Sequence, residues 1–207
     1  MTYDTVKRFL DVVLALILGL FFLPIMLLTA IAIKFDSPGP VIYKQLRVGK
    51  GGKQFWLYKF RSMVVDADKL LRSNKELLAA FKEGDWKLEL GEDPRVTRVG
   101  TFIRLVTIDE MPQFINVIKG DMSIVGPRAY RKEELEEQQE KYPETRPFVK
   151  EILKIKPGVT GPWQVSGRNE LPFDVRTHMD AEYAQSKSLW RDFYILCKTP
   201  FAMLSKW

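Results

Sequence analysis

The sequence predicts an α+β protein: a mostly helical domain with a small β-hairpin or sheet, docked on a membrane by an N-terminal re-entrant helix and by interfacial helices. Three observations carry this reading. Residues 12–33 contain no charged side chain. Two β-prone runs, 41–47 and 54–60, bracket Gly49-Lys50-Gly51-Gly52, the pattern of a hairpin. Residues 65–83 place apolar residues at helical spacing. The organisation expected is a membrane helix over residues 1–36 and a cytoplasmic domain over 37–207, closed by an interfacial C-terminal helix.

Composition narrows the chemistry. A chain of 207 residues is one domain, or one domain with a small appendage. With 46% hydrophobic and 28% charged residues, general disorder is excluded. The single cysteine, Cys197, excludes an internal disulfide framework and a Cys-rich zinc site. The single histidine, His178, excludes a His-clustered metal centre and has no partner pattern around it. Any metal is a hard cation held by oxygen. A net charge of +6 favours anionic partners: nucleic acid, a lipid surface or phosphorylated substrates.

The apolar run comes first in the chain. As a straight helix it would extend about 33 Å, enough to cross a hydrocarbon core. It is too long for a signal peptide, and Lys34-Phe35-Asp36 follows it rather than a small-x-small cleavage site. Two readings stand: a single span, or a helix that enters and leaves by one leaflet. Pro24 lies mid-run, where it removes a backbone hydrogen bond and bends a helix. Lys7 and Arg8 precede the run; Lys34, Lys44, Arg47, Lys50 and Lys53 follow it. Basic flanks on both sides place both on the cytoplasmic side, which a bent helix satisfies. Two halves of about 11 residues each would rise about 17 Å, half of a ~30 Å core.

Asp36-Ser37-Pro38-Gly39-Pro40 breaks the helix, and the hairpin follows. Residues 65–83 predict one amphipathic helix through Ala67, Leu70, Leu71, Leu77, Leu78 and Phe81. Residues 84–94 read as a polar loop, and 95–104 alternate basic and apolar side chains. Residues 111–119 predict a short helix ended by Gly120. Residues 131–142 predict a charged, solvated helix. Residues 157–169, rich in Gly and Pro, predict an ordered loop, and the aromatic 189–206 segment suits either core or a membrane interface.

Four constellations could carry chemistry. Asp109 and Glu110 follow Thr107 in the pattern of a capping box. Pro112 is comfortable only in a first helical turn, which puts both carboxylates at a helix start, where an anion or metal complex can be ordered. Gly126-Pro127 displays Arg128 from a rigid turn, suited to bidentate phosphate recognition. Residues 157–169 offer Trp163 as a stacking face, with Gln164, Arg168 and Asn169 as polar contacts. In Lys59-Phe60-Arg61-Ser62-Met63, strand alternation puts Lys59 and Arg61 on one face. Each has a plain structural alternative: a cap, a surface arginine, a connecting loop, a solvated basic face.

Together these segments resemble the bacterial sugar transferases, the monotopic phosphoglycosyl transferases. The resemblance runs from about Lys7 to Phe201. It rests on the apolar run with its central proline, Lys59 to Met63, Asp93-Pro94-Arg95-Val96-Thr97, Asp109-Glu110, Gly120-Asp121-Met122-Ser123, Gly126-Pro127-Arg128, and residues 157–169. Three departures are visible. Leu23 precedes the proline where some relatives have serine, Thr107-Ile108 stands where Ser-Leu is usual, and Ala129 follows Arg128 where proline is common. Larger relatives carry extra spanning helices before this core; with four residues ahead of Thr5, none is expected here.

The resemblance implies transfer of a sugar-1-phosphate from a UDP-sugar to polyprenyl (undecaprenyl) phosphate with release of UMP. It implies a location on the cytoplasmic face of the inner membrane. Asp109 would be the nucleophile, and Asp109 with Glu110 would hold Mg2+. Lys59, Arg61, Arg128, Gln164, Arg168 and Asn169 would contact substrate, and Asp180 would orient an arginine or a sugar hydroxyl. The expected partners are the UDP-sugar, the polyprenyl phosphate and the bilayer, with no nucleic acid and with a homodimer left open. A carboxylate can attack a phosphoanhydride once the diphosphate charge is neutralised, so the residues suit this chemistry independently. Two other classes stay open from the residues alone: a membrane-tethered basic binding protein, and a glycosyltransferase that releases UDP.

Overall fold

The computed structural model describes residues 2–84, 86, 88, 91–167 and 171–204. The fold is mixed α and β, helix-dominated, with two small two-stranded sheets. Helix α1 (Tyr3–Phe21) and helix α2 (Leu23–Asp36) meet at Phe22 with a bend of 61°. Pro24 lies in the first turn of α2, where no N–H is required. Its ring and missing donor exclude the turn that would have joined it to Leu20, so the chain breaks just before the proline. No single helix among the described residues is long and apolar enough to cross a membrane; only the bent pair together meets that measure. The pair leaves Leu20, Phe21, Leu27, Leu28 and Phe35 exposed and buries Ala15 and Ile33 against the domain.

The beginning of α1 is part of that domain. Buried Asp11 accepts from Ser123 Oγ (2.7 Å), from the Ile124 N–H (3.0 Å) and from Lys7 Nζ (2.8 Å). Arg8 donates to the carbonyls of Val117 (2.5 Å) and Ile118 (2.9 Å). Tyr3 donates to Asp192, far along the chain.

Strands β1 (Ile42–Val48) and β2 (Gln54–Phe60) form the expected antiparallel hairpin, with Tyr43 opposite Lys59 and Arg47 opposite Phe55. Gly51 and Gly52 close its turn at positive φ (70° and 75°), where glycine carries no steric penalty. The helix expected over 65–83 is two: α3 (Ala67–Ser73) and α4 (Lys75–Glu83). Asn74 interrupts them because its side chain accepts from the Leu77 N–H (3.0 Å), capping the second. Helix α5 (Arg98–Leu105) is capped by Thr97. A 3-10 turn (Ile108–Glu110) leads to α6 (Gln113–Lys119), which Gly120 ends at φ 91°.

The rest of the chain wraps this centre. It runs β3 (Ser123–Val125), α7 (Lys132–Lys141), a 3-10 turn (Pro143–Thr145), α8 (Arg146–Ile152), β4 (Gly158–Thr160), α9 (Phe173–Ser186) and α10 (Leu189–Leu204). The expected loop at 157–169 therefore contains a strand, β4, paired in parallel with β3. Helix α7 is not fully solvated, since it buries Glu134, Leu135 and Gln138. One cluster packs Ala15, Leu57, Val117, Ile124 and Ile195 between α1, the hairpin, α6, β3 and α10. A second packs Ile33, Phe60, Ile103 and Met111, joining α2 to β2, α5 and the turn before α6.

Removing the Asp11 side chain strands the buried Ile124 N–H and leaves the Ser123 hydroxyl with the Val125 carbonyl (2.9 Å) alone. Asp11→Ala is expected to cost about 3 kcal/mol, lowering Tm in a thermal melt by about 6–12 °C for a chain of this size. An unchanged Tm would mean that α1 is not anchored through this carboxylate.

Candidate active site

Asp109 and Glu110 occupy the 3-10 turn between α5 and α6. Thr107 opens that turn in the left-handed region (φ 59°, ψ 18°), a strained position for a β-branched residue. Its side chain does not cap the turn, so the expected capping box is absent. Met111 and Ile108, packed against Phe60 and Ile103, hold the turn in place. The two carboxylates consequently differ. Asp109 is buried at 5% exposure, whereas the Glu110 side chain is 30% exposed.

Lys59, at the end of β2, lies between them. Its ammonium is 2.5 Å from Glu110 Oε1 and 3.8 Å from Asp109 Oδ2. Asp109 Oδ1 is buried with no hydrogen-bond partner. Burial pushes the Asp109 carboxyl up to about 6, and Glu110 adds to the rise; Lys59 and Arg104 oppose it. Arg104, on α5, is held below its ordinary value chiefly by its own burial. Behind it lies a buried bidentate pair, Arg95 Nε and Nη2 to the two Asp93 oxygens, both at 2.7 Å. Arg104 has no signal of its own in the sequence; its role follows from α5 ending at Leu105, immediately before the turn.

A second polar cluster surrounds Arg128. Its guanidinium lies 4.9 Å from the Trp163 ring centroid, and its Nε is 3.8 Å from buried Glu134. Its backbone N–H donates to Asp180 Oδ2 (2.9 Å). Asp180 is fully buried, its Oδ1 has no hydrogen-bond partner, and burial pushes its carboxyl up to about 7. Gln164 belongs to the same region, beside Gly161, and its buried Oε1 is also unpartnered. Arg47 joins from β1, donating to the Ala129 carbonyl (3.0 Å) with Nη1 3.6 Å from Glu134.

The hairpin relates the two clusters. Cross-strand partners share a face, so Lys59, Tyr43, Gln45 and Arg47 form one polar row. Tyr43 and Arg47 are four residues apart, about 13 Å along a strand. Arg61 lies elsewhere. Strand β2 ends at Phe60, and Arg61 turns beneath the end of α2, donating to Ser37 O (2.6 Å), Ser37 Oγ (3.0 Å) and Pro38 O (2.7 Å). Gly39, at φ 118°, leaves room for it, since a Cβ there would stand 2.2 Å from Arg61 Nη1. Arg168 and Asn169 lie outside the described residues. Among the described residues, no group of three or more His, Cys, Asp or Glu side chains forms a metal cage.

Comparison with known proteins adds a second line of evidence. The family model described as bacterial sugar transferase matches residues 2–206. The undecaprenyl-phosphate galactose phosphotransferase of Salmonella typhimurium is 42% identical over 97% of this chain and 40% of its own length. The UDP-glucose:undecaprenyl-phosphate glucose-1-phosphate transferase of Escherichia coli is 38% identical over 94% of this chain and 39% of its own. The exopolysaccharide production protein ExoY of Sinorhizobium fredii is 39% identical over 97% of this chain and 86% of its own. The chain thus spans about two fifths of the first two and most of the third.

The Asp109 carboxyl titrates in the fold above its ordinary 3.8. Folding therefore favours its protonated form, and the cost of ionising it grows as pH rises from about 4 through about 6. Asp109→Asn, which keeps the shape without the charge, is expected to raise stability at pH 8 by on the order of 2–3 kcal/mol. The gain shrinks toward zero near pH 4. Thermal melts at the two pH values check this, and a variant less stable than wild type at pH 8 would contradict it.

Proposed function

The chain belongs to the bacterial sugar transferase family, and from that premise we propose that it transfers a sugar-1-phosphate from a UDP-sugar to polyprenyl phosphate at a membrane surface. The observation that carries the reading is a buried aspartate with an unpartnered oxygen beside a lysine-paired glutamate. Asp109 is the nucleophile. An Asp109 oxygen attacks the phosphorus that bears the sugar, and the bond from that phosphorus to the bridging oxygen breaks. UMP departs with the electron pair, leaving an aspartyl-phosphosugar. An oxygen of the polyprenyl phosphate then attacks the same phosphorus and returns Asp109 as a carboxylate. The product is a lipid diphosphate sugar.

The residues assist in distinct ways. Burial strips water from Asp109 and so raises its reactivity as an oxygen nucleophile. Lys59 and Arg104 keep enough of it ionised near neutral pH. Asp109 and Glu110 suit Mg2+, which commonly takes one or two carboxylates and completes its shell with waters and substrate phosphates. Such an ion, when bound, neutralises the diphosphate that a carboxylate must approach. Arg128, its guanidinium over the Trp163 ring, offers a planar fork to a phosphate or to the nucleotide. The bent α1–α2 pair seats the site at the cytoplasmic leaflet, where a lipid phosphate and a water-soluble donor can meet. The names of the relatives, which include undecaprenyl-phosphate sugar phosphotransferases, support this substrate pairing.

Supplying a UDP-sugar, polyprenyl phosphate and Mg2+ is expected to release UMP; release of UDP would identify a glycosyltransferase instead, and release of neither a binding protein. Asp109→Asn is expected to lower turnover at least ~10³-fold, about 4 kcal/mol of barrier. Arg128→Lys is expected to lose most activity, because an ammonium cannot reproduce the guanidinium plane. Near-normal turnover of either variant in the same assay would contradict its assigned role.

A further inference from the structure

A group of cations gathers around the C-terminal end of α6 without a matching set of acids. Lys44 and Lys119 approach the Tyr58 ring from β1 and α6, at 5.8 and 5.2 Å from its centroid, and Lys119 Nζ donates to the Tyr58 hydroxyl (3.2 Å). Arg8 caps the last carbonyls of α6. A Cβ on Gly120 would stand 3.5 Å from Arg8 Nη2 and 3.6 Å from Lys156 Nζ, so those two cations flank one glycine. Burial, chiefly, and the nearby Arg8 and Lys50 disfavour the charge on Lys156, while Asp11 and Asp121 favour it. The carboxylates facing the group are already engaged. Asp11 is held by Lys7, Ser123 and Ile124, while Asp121 accepts from Asn116 and lies 4.0 Å from Lys119. The dipole of a seven-residue helix accounts for one or two cations at its end, not for four.

The same edge carries exposed apolar side chains. Ile115 and Ile118 lie three residues apart on α6, on the helix face that continues to Lys119, and Leu46 and Trp56 are cross-strand partners on the hairpin face that carries Lys44 and Tyr58. Phe9 stands exposed next to Arg8. Apolar residues bordered by an aromatic and a row of lysines match the boundary between lipid chains and phosphate headgroups.

We propose that Lys44, Lys119, Arg8 and Lys156 form a belt that binds the headgroups of anionic glycerophospholipids, so that the protein recruits such lipids around its site. The belt rests on the membrane seat proposed above. Its ligand is a phosphodiester of the bilayer, distinct from the acceptor lipid phosphate at Asp109.

The test uses the full chain in nanodiscs of equal phosphatidylglycerol and phosphatidylcholine. The protein is extracted in mild detergent and its retained lipids are quantified. Wild type is expected to retain phosphatidylglycerol several-fold over phosphatidylcholine, with the preference lost in high salt. Lys44→Gln/Lys119→Gln/Lys156→Gln is expected to bring that several-fold preference close to one, with UMP release in phosphatidylcholine nanodiscs unchanged. Lys44→Gln alone, at an exposed position, carries the same test should the triple variant unfold. Equal retention by wild type, or an undiminished preference in the variants, would overturn the belt while leaving the membrane seat intact. Failure to enter phosphatidylcholine nanodiscs at all would overturn the seat. Displacement of retained phosphatidylglycerol by stoichiometric polyprenyl phosphate would overturn the belt by reassigning it to the acceptor.

Discussion

Two adjacent carboxylates, one of them buried, are the constraint around which the chain is arranged. An unpaired ionised carboxylate inside a protein costs several kcal/mol, and a second one beside it adds to that cost. The fold keeps the pair by bringing Lys59 from the hairpin to both, and Arg104 from α5 to the buried member. The compensation is incomplete, since one Asp109 oxygen is left without a partner. In the proposed reaction, that residual cost would be the physical basis of a reactive oxygen. A fully satisfied Asp109 would be more stable and less nucleophilic.

The bent α1–α2 pair is tied to this turn through the same hairpin. Arg61, two residues beyond Lys59, locks the end of α2 by its carbonyls, and Gly39 yields the space it needs. Ile33 of α2 packs in one cluster with Met111, which follows the dyad. At the other end of the bent pair, Asp11 and Arg8 hold β3 and α6. Helix, strand and the turn that carries Asp109 and Glu110 are therefore packed as one unit, with the two carboxylates fixed relative to the bent helices. The transfer proposed above, between a lipid-borne acceptor and a soluble donor, would demand such fixity.

Local signals were readable in the sequence, and long-range ones were not. Glycines at positions 49, 51 and 52 between β-prone runs announced the hairpin, and Pro24 announced the break in the apolar run. Strand β4 escaped because its three residues pair in parallel with a segment far away in sequence, and no local pattern encodes such a partner. Asn74 split a helix through one side-chain hydrogen bond that apolar periodicity does not register. At the site, Asp109, Glu110 and Lys59 came together from motifs about fifty residues apart. Arg61, expected beside Lys59, did not join them, because alternation ends where the strand ends. Arg47, Arg104 and Asp180 draw their meaning from burial, which composition does not reveal.

The central claim is that Asp109 forms a covalent phosphosugar before the lipid acceptor arrives. Isotope exchange measures this directly: labelled UMP is incubated with the protein, unlabelled UDP-sugar and Mg2+, with no polyprenyl phosphate present. A reversible first step through Asp109 predicts that label enters the UDP-sugar pool in wild type and does not in Asp109→Asn. No exchange in a wild-type preparation that turns over normally once polyprenyl phosphate is added would contradict the account, and would point to direct attack by the lipid phosphate.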